Sequence, residues 1–161
     1  MIVRKHSSEW LPGYLAAAAL GDDGLLQMLD LAGKVLAMPL VEVKWVCFIR
    51  DFNSGEIENP ERLMKKTFAG RPRSAGVWLR LRLIDGDLIE GLASNDLSLV
   101  AGAGLFLTPP DVRSNTQRIF LPRSSIRELE VVTVIAPAAK RKAEATGSSA
   151  GEHSSQESLF P

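Results

Sequence analysis

The feature that most constrains the fold is a pattern of strand, proline turn and strand that occurs twice. "GKVLAMPLVEVKWVCF" begins at residue 33, and "QRIFLPRSSIRELEVV" covers residues 117–132. One constant offset along the chain places Pro39 over Pro122 and Lys44 over Arg127. Further upstream, a slightly smaller offset places Gly13 over Gly91. The sequence therefore predicts one design used twice rather than a single unrepeated domain.

Short apolar segments separated by turn residues predict strands rather than helices on both sides of the middle of the chain. The segment "VWLRLRL" alternates most clearly, so that Trp78, Arg80 and Arg82 share one face of a half-buried strand. The predicted strands cover residues 2–6, 9–15, 25–31, 34–38 and 43–49, and then 77–83, 87–93, 104–108, 118–121 and 126–135. A helix through residues 24–38 would contradict this interpretation.

Each copy has five predicted strands, with a glycine in the second strand and a single turn before the last. Glycine permits sharp bending where a sheet curls, so this pattern predicts a small closed barrel. The stretch "LRLIDGDLIEGL" resembles the first signature of Sm-like proteins, in which Gly86 and Gly91 have the expected spacing. The Arg-Gly turn of the second signature is replaced by "LPRSSIREL". The resemblance implies an RNA-binding role, and the missing Arg-Gly weakens that implication.

The predicted fold is mainly β, with two tandem small β-barrels of the Sm-like or SH3-like type in a bacterial protein. The barrels cover residues 1–52 and 77–135, and a linker covers residues 53–76. Asn59 as a cap and Pro60 at the first helical position predict one short helix in that linker. Residues 136–161 are small and polar, which predicts a disordered tail.

Composition excludes some classes of function. Nineteen basic and nineteen acidic residues cancel, so no global field attracts nucleic acid, and any charged ligand must meet a local patch. Cys47 is the only cysteine and lies in the apolar run "WVCFI", which predicts a buried thiol in a reducing cytosol. No apolar stretch approaches the length of a membrane span, so we expect a cytoplasmic protein without membrane contact. The prediction allows an oligomer.

The sequence offers few groups for catalysis. His6 and His153 are the two histidines, and no pair of histidines, His-Cys cluster or glycine-rich phosphate loop is present. We therefore expect a non-enzymatic protein with no cofactor and no metal.

Two groups of residues are the candidate ligand site. The loop "TPPDVRSNTQR" and the turn after it contain Arg113, Asn115, Arg118 and Arg123, whose cations can converge on a phosphate or a carboxylate. The alternative is that Asp111 and Arg113 pair within the loop while Asn115 caps a turn. Trp78, with Arg80 and Arg82 beside it, can stack on a base, or it can pack against the linker.

The stretch from residue 71 to 107 also resembles a PilZ domain, which implies a cyclic-dinucleotide sensor. Asp96 and Ser98 fit that family's turn, whereas Ala101 occupies its glycine position. Arg71 and Arg73 are spaced more closely than the family's arginine pair. Both motifs are therefore broken.

The tail ends in "QESLF", residues 156–160, which resembles the peptide by which bacterial proteins dock onto the replication sliding clamp. Gln156, Ser158, Leu159 and Phe160 carry the resemblance, and Glu157 departs from it. A Leu-Phe pair on a disordered tether suits a hydrophobic groove of a protein partner. The sequence thus predicts a binding or regulatory module, with RNA, a cyclic dinucleotide or a protein as the ligand.

Overall fold

The computed structural model describes residues 1–15, 20, 24–52, 64–111 and 113–137. Within these residues the chain forms ten strands and three short 3-10 turns. The first half contains β1 (Ile2–Lys5), β2 (Trp10–Leu15), β3 (Leu25–Asp30), β4 (Val35–Pro39) and β5 (Val43–Ile49). The second half contains β6 (Gly76–Leu83), β7 (Leu88–Ala93), β8 (Gly104–Leu107), β9 (Thr116–Pro122) and β10 (Ile126–Ile135).

Every segment predicted to be a strand forms one, so the mainly β fold is confirmed. The alternation predicted for β6 is also present, because Leu79 and Leu81 are buried while Arg80 and Arg82 lie on the other face. The helix start predicted at Asn59 and Pro60 lies outside the described residues, as does the tail from residue 138 onward.

The strands form two antiparallel sheets. One sheet has seven strands in the order β4-β3-β2-β1-β5-β9-β8, and the other has three in the order β10-β6-β7. In the described part of the chain neither sheet closes on itself, so the two predicted closed barrels are not confirmed. The seven-stranded sheet also crosses from one half to the other where β5 pairs with β9. The domain boundaries at residues 52 and 76 stay a prediction.

The two halves nevertheless share one strand order and one register. In the first half β1 lies between β2 and β5, and in the second half β6 lies between β7 and β10. Val3 pairs with Val46, and Leu81 pairs with Leu129, which is the same pair displaced by the two offsets of the sequence repeat. The hairpins match too, because the pairing of Val3 with Leu11 recurs at β6 and β7. The offsets found in the sequence are therefore the offsets of the hydrogen-bonded register.

The proline turns match as closely. A 3-10 turn of three residues follows Pro39 in the first half and Pro122 in the second. In each half the last strand pairs with the first strand. This pairing has a register shift near the start of the last strand, at equivalent positions in the two halves. Lys44 and Arg127 are the residues left without a pairing partner at these equivalent shifts. A bulge breaks the regular alternation of side chains along a strand. Lys44 and Arg127 are therefore aimed differently from the side chains of regularly paired residues.

The core consists of two clusters that exchange residues at the β5–β9 pairing. Trp45 and Cys47 of β5 are fully buried in the cluster built mainly from the second half. Phe120 of β9 is buried in the cluster built mainly from the first half. The predicted burial of the Cys47 thiol is confirmed. Each half therefore lacks part of its core unless the other half is present.

Gly13 and Gly91 lie in the second strand of each half, where the third strand crosses close by. A Cβ atom at Gly91 would lie 2.9 Å from Leu107 Cβ and 3.1 Å from the Thr108 carbonyl oxygen. A Cβ atom at Gly13 would meet the carbonyl oxygen of Leu29. Both positions need glycine because the backbones approach too closely for any side chain.

We expect Gly13→Ala and Gly91→Ala each to lower the free energy of unfolding by about 1–3 kcal/mol, because the added methyl group forces the strands apart. Gly70→Ala is the matched control, since its Cβ would meet no atom within 4 Å. Urea unfolding of the three variants measures the difference. Equal stabilities for all three would show that the strand crossing does not require glycine.

Candidate functional site

The arginines predicted on the exposed face of β6 are bonded to carboxylates of the neighbouring strands. Arg80 Nε donates to Glu90 Oε1 at 2.9 Å, and Arg80 Nη1 donates to Glu130 Oε2 at 3.1 Å. Arg82 Nε lies 3.3 Å from Glu128 Oε2. The hydrogen bond to Glu90 raises the pKa of Arg80 above its ordinary value. This face is a ladder of ion pairs, so its charge is largely neutralised within the protein.

Trp78 continues the same face but is packed rather than open. Its ring meets Phe68 edge to face, with ring centroids 5.5 Å apart. Its indole nitrogen is buried and has no hydrogen-bond partner among the described residues. Of the two uses predicted for Trp78, the contact with Phe68 matches packing against the segment that precedes β6.

Arg123 braces a loop of its own half. Its guanidinium donates to the carbonyl oxygens of Gly102 at 2.9 Å, Ser98 at 2.8 Å and Ala101 at 2.9 Å. A fourth, longer contact reaches the Leu99 carbonyl at 3.4 Å. Carbonyl oxygens thus accept from the guanidinium donors that were predicted to bind an anion.

The loop before β9 is held by its own polar groups and by the first half. Asp111 Oδ1 accepts from the backbone nitrogen of Arg113 at 3.0 Å. Asn115 Nδ2 donates to the Asp51 carbonyl at 2.8 Å, and Asn115 Oδ1 accepts from the Asp51 nitrogen at 3.1 Å. Asn115 therefore ties the loop to the end of β5, and Asp111 binds the Arg113 backbone.

Arg118 contacts an aromatic ring of β8. Its guanidinium lies over the Phe106 ring, 4.7 Å from the centroid. Arg118 and Arg123 are separated along β9 by roughly 16 Å of extended chain, and they contact different groups. No contact joins the side chains of Arg113, Arg118 and Arg123 in the described part of the chain.

The turn that resembles the PilZ motif is also internally bonded. Asp96 Oδ1 accepts from the Ser98 hydroxyl at 2.5 Å and from the Ser98 backbone nitrogen at 2.9 Å. These bonds lower the pKa of Asp96 below its ordinary value. They form the cap of the 3-10 turn Leu97–Leu99. Arg71 and Arg73 are exposed in the segment that precedes β6.

A polar cluster around the buried Lys44 joins the two halves, and it was not among the predicted sites. Lys44 is 6% exposed, and its Nζ lies 2.6 Å from both Asp85 Oδ2 and Asp87 Oδ2. Lys66 Nζ adds a contact of 3.1 Å to Asp87. The same Nζ of Lys44 lies 4.6 Å from the centroid of the Trp45 ring. The signal in the sequence was the repeat, which places a second cation, Arg127, at the position equivalent to Lys44.

The ionisation of this cluster is coupled. Burial opposes the charge on Lys44 most strongly, yet hydrogen bonds and the charges of Asp85 and Asp87 together raise its pKa. The hydrogen bond from Lys44 is the main cause that lowers the pKa of Asp87. At Asp85 burial is the largest influence and raises the pKa, but the bonds from Lys44 and the Asp87 nitrogen outweigh it. All three groups are held in their charged forms.

Apolar side chains are exposed at two free sheet edges. At the β4 edge Tyr14, Leu29 and Val35 contribute to a groove of about 320 Å³. On β10, Leu129, Val131 and Val134 are exposed. Within the described residues β4 pairs only with β3, and β10 pairs only with β6. These strands have unpaired backbone groups on their outer sides.

Groups for metal chemistry are absent from the residues that the structure describes, where no cluster of three His, Cys, Asp or Glu side chains is placed to hold an ion. His6 instead lies 3.2 Å from the Ser125 hydroxyl through its Nε2 atom. His153 lies outside the described residues, as do Gln156, Ser158, Leu159 and Phe160.

Comparison with known proteins assigns the chain to a family. A family model described as a family of unknown function (DUF6982) matches residues 1–133, and the chain therefore belongs to that family. The match spans both halves of the repeat. No curated protein and no solved structure matches the chain. Among the described residues, no helix has the length and apolar character needed to span a membrane.

Lys44→Met keeps the length of the side chain and removes its charge, leaving Asp85 and Asp87 without their shared cation. We expect the free energy of unfolding to fall by about 1–2 kcal/mol, because a charged hydrogen bond is worth up to about 3 kcal/mol and the exposed aspartates reduce that value. Lys34→Met, at an exposed position, is the control. Urea unfolding at about pH 7 measures both variants.

The stability from this cluster also depends on pH. Asp85 and Asp87 have lowered pKa values in the folded protein, so their contribution is present above the ordinary value of about 4 and is lost as the pH falls through the lowered values. The difference in unfolding free energy between wild type and Lys44→Met should therefore shrink as the pH is lowered from about 4 toward about 2. A difference that stays constant down to that pH would show that the effect of Lys44→Met is packing and not charge.

Proposed function

We propose that this member of DUF6982 is a non-enzymatic binding module made of two small units of the SH3-like or Sm-like type, and that it binds proteins through its free sheet edges. Each unit has the strand order expected for that type, with the last strand beside the first and a 3-10 turn before the last strand. The family assignment leaves the ligand open.

The observation that carries the proposal is the exposure of apolar side chains on two strands that end their sheets. Val35 is 66% exposed on β4, and Val131 is 53% exposed on β10. An unpaired edge can accept a strand from another chain, in which case main-chain hydrogen bonds give affinity and alternate side chains give specificity. Charged side chains or prolines commonly protect such edges, but Val35 and Val131 are apolar.

The contacts of the predicted cations favour a protein ligand over RNA. Arg80 and Arg82 are paired with carboxylates, and Arg123 is bonded to backbone carbonyls. Binding a phosphate backbone would require these arginines to leave their present partners. The chain also has no net charge to attract a polyanion.

RNA binding is a second candidate on a narrower basis. Arg113 and Arg118 have no acidic partner among the described residues, and Arg118 lies over Phe106, so one cation and an aromatic ring adjoin in the second half. The contacts do not favour a cyclic dinucleotide as the ligand, since the Ser98 hydroxyl is already bonded to Asp96. The clamp-like peptide at Gln156, Ser158, Leu159 and Phe160 stays a separate prediction for a protein partner.

Substitution on the β10 edge tests the proposal directly. Proteins that co-purify with the full chain from its source cells should decrease about tenfold with Val131→Lys, because a lysine at the edge disfavours strand addition. Leu97→Lys is the control, since Leu97 is 79% exposed on a 3-10 turn that belongs to neither edge strand.

Fluorescence anisotropy with single-stranded RNA provides the opposing measurement. We expect weak binding that Arg113→Gln and Arg118→Gln do not change. Tight binding that falls steeply with salt, and that these two substitutions reduce, would establish RNA as the ligand and contradict the proposal.

A further inference from the structure

The contact between the two halves is a strand pairing between equivalent parts of the repeat. The last strand of the first half, β5, pairs antiparallel with the fourth strand of the second half, β9. Val46 lies opposite Phe120, and Phe48 lies opposite Arg118. On the same side Phe48 contacts Phe106, with ring centroids 5.9 Å apart.

The strands equivalent to β5 and β9 in the repeat are both free edge strands. The offset that places Pro39 over Pro122 makes β10 the equivalent of β5 and β4 the equivalent of β9. Among the described residues the outer side of each of these strands has no strand beside it. The strand edges equivalent to those that join the halves within one molecule are thus unpaired among the described residues.

We propose that copies of this chain associate head to tail, with β10 of one copy pairing antiparallel with β4 of the next in the register of the internal junction. This inference rests on the proposed function and names its partner as a second copy. The internal pairs Val46–Phe120 and Phe48–Arg118 translate into Leu129 opposite Ala37 and Val131 opposite Val35. A head-to-tail contact uses different surfaces on the two copies and therefore permits growth beyond a dimer.

The apolar side chains are exposed where this register needs them. Val35 is 66% exposed, Val131 53% and Leu129 41%, whereas Val46 and Phe120 of the internal junction are buried. The groove beside Val35 includes Gln27, which is the equivalent of the Phe106 on which Phe48 packs, and it is also lined by Tyr14 and Leu29. Pairing β10 with β4 would cover Val131 and Leu129 as the internal junction covers Phe48 and Val46.

The charges agree with the same register. Within the molecule, the bulge residue Lys44 bonds to Asp87 in the turn between the first two strands of the second half. The equivalent bulge residue of the second half is Arg127, and the equivalent of Asp87 is Glu9. Arg127 is exposed, and Glu9 is 52% exposed although it also contacts Lys5 at 3.2 Å. Arg127 of one copy would therefore meet Glu9 of the next copy.

The side chains on one face of β5 differ from those at the equivalent positions of β10. We expect this difference to make the contact between copies weaker than the internal junction. Trp45 and Cys47, which β5 buries in the opposite core, correspond to Glu128 and Glu130. Those two carboxylates are already bonded to Arg82 and Arg80. The contact between copies consequently buries less apolar surface than the internal one and should be reversible, in the manner of small transient interfaces.

Two variants that each damage one edge test the geometry. Sedimentation velocity of the full chain, at concentrations from about 1 µM to about 1 mM, should show species larger than a dimer at the upper end. Val35→Lys alone and Val131→Lys alone should each remain monomers of 17.5 kDa. Their equimolar mixture should form a one-to-one complex, because one variant keeps an intact β10 edge and the other an intact β4 edge.

Charge reversal tests the register. Arg127→Glu and Glu9→Arg should each weaken assembly about tenfold, and the two changes in one chain should restore it. Leu97→Lys, in a 3-10 turn outside both edge strands, should assemble like wild type. Far-ultraviolet circular dichroism confirms that each variant is folded.

Several outcomes would overturn the inference. The first two are a wild-type chain that stays monomeric at every concentration and assembly that survives in either lysine variant alone. The others are a double charge variant that does not recover assembly and an effect of Leu97→Lys equal to that of Val131→Lys. A monomeric wild type whose co-purifying proteins still depend on Val131 would overturn self-association while leaving the proposed function standing.

Discussion

The pairing of β5 with β9 is the interaction on which the rest of the structure depends. It joins the two halves into one seven-stranded sheet, and it carries Trp45 into one core while Phe120 enters the other. A fully buried tryptophan contributes more apolar surface than most core residues, so the second core depends on a residue from the first half. The halves are repeats in sequence and register, but they share their cores.

The same strand position has been used in two ways in the two copies. In β5 it carries Trp45 and Cys47 against the neighbouring half, whereas in β10 it carries Glu128 and Glu130 beside arginines. The backbone register is the same over these residues, so the difference lies in the side chains alone. One backbone plan thus carries a buried surface in β5 and a charged surface in β10.

Much of the fold was predictable, because strands and turns are local properties of the sequence. Short apolar segments between turn residues located the ten strands of the described residues, and the offsets of Pro39 and Gly13 gave the relation between the halves. The β5–β9 pairing was not predictable, since no local pattern states which free edges will meet. The roles of Arg80 and Arg123 were missed for a related reason: their partners come from neighbouring strands or a distant loop, so a basic residue looks available in the sequence while it is already bonded. Lys44 was visible as a repeated cation, but its partners depend on the same unpredicted junction.

The connection that leads into the second half is part of its structure. Met64 is buried in the second core, and the Glu90 nitrogen donates to the Lys66 carbonyl at 2.6 Å. The Phe68 nitrogen in turn donates to the Glu90 carboxylate at 2.9 Å. This segment lies beside β7, whose Leu92 also forms an isolated bridge with Thr108, the residue that follows β8.

Segments between repeated units are usually where proteases cut and where a chain accepts new termini, because little is lost when they open. Residues 64–68 do not fit that description. A cut there would remove Met64 from the second core and expose the edge of β7, and a circular permutation at the same place would do likewise. For this chain the repeat boundary in the sequence and the point at which the molecule can be divided are different places.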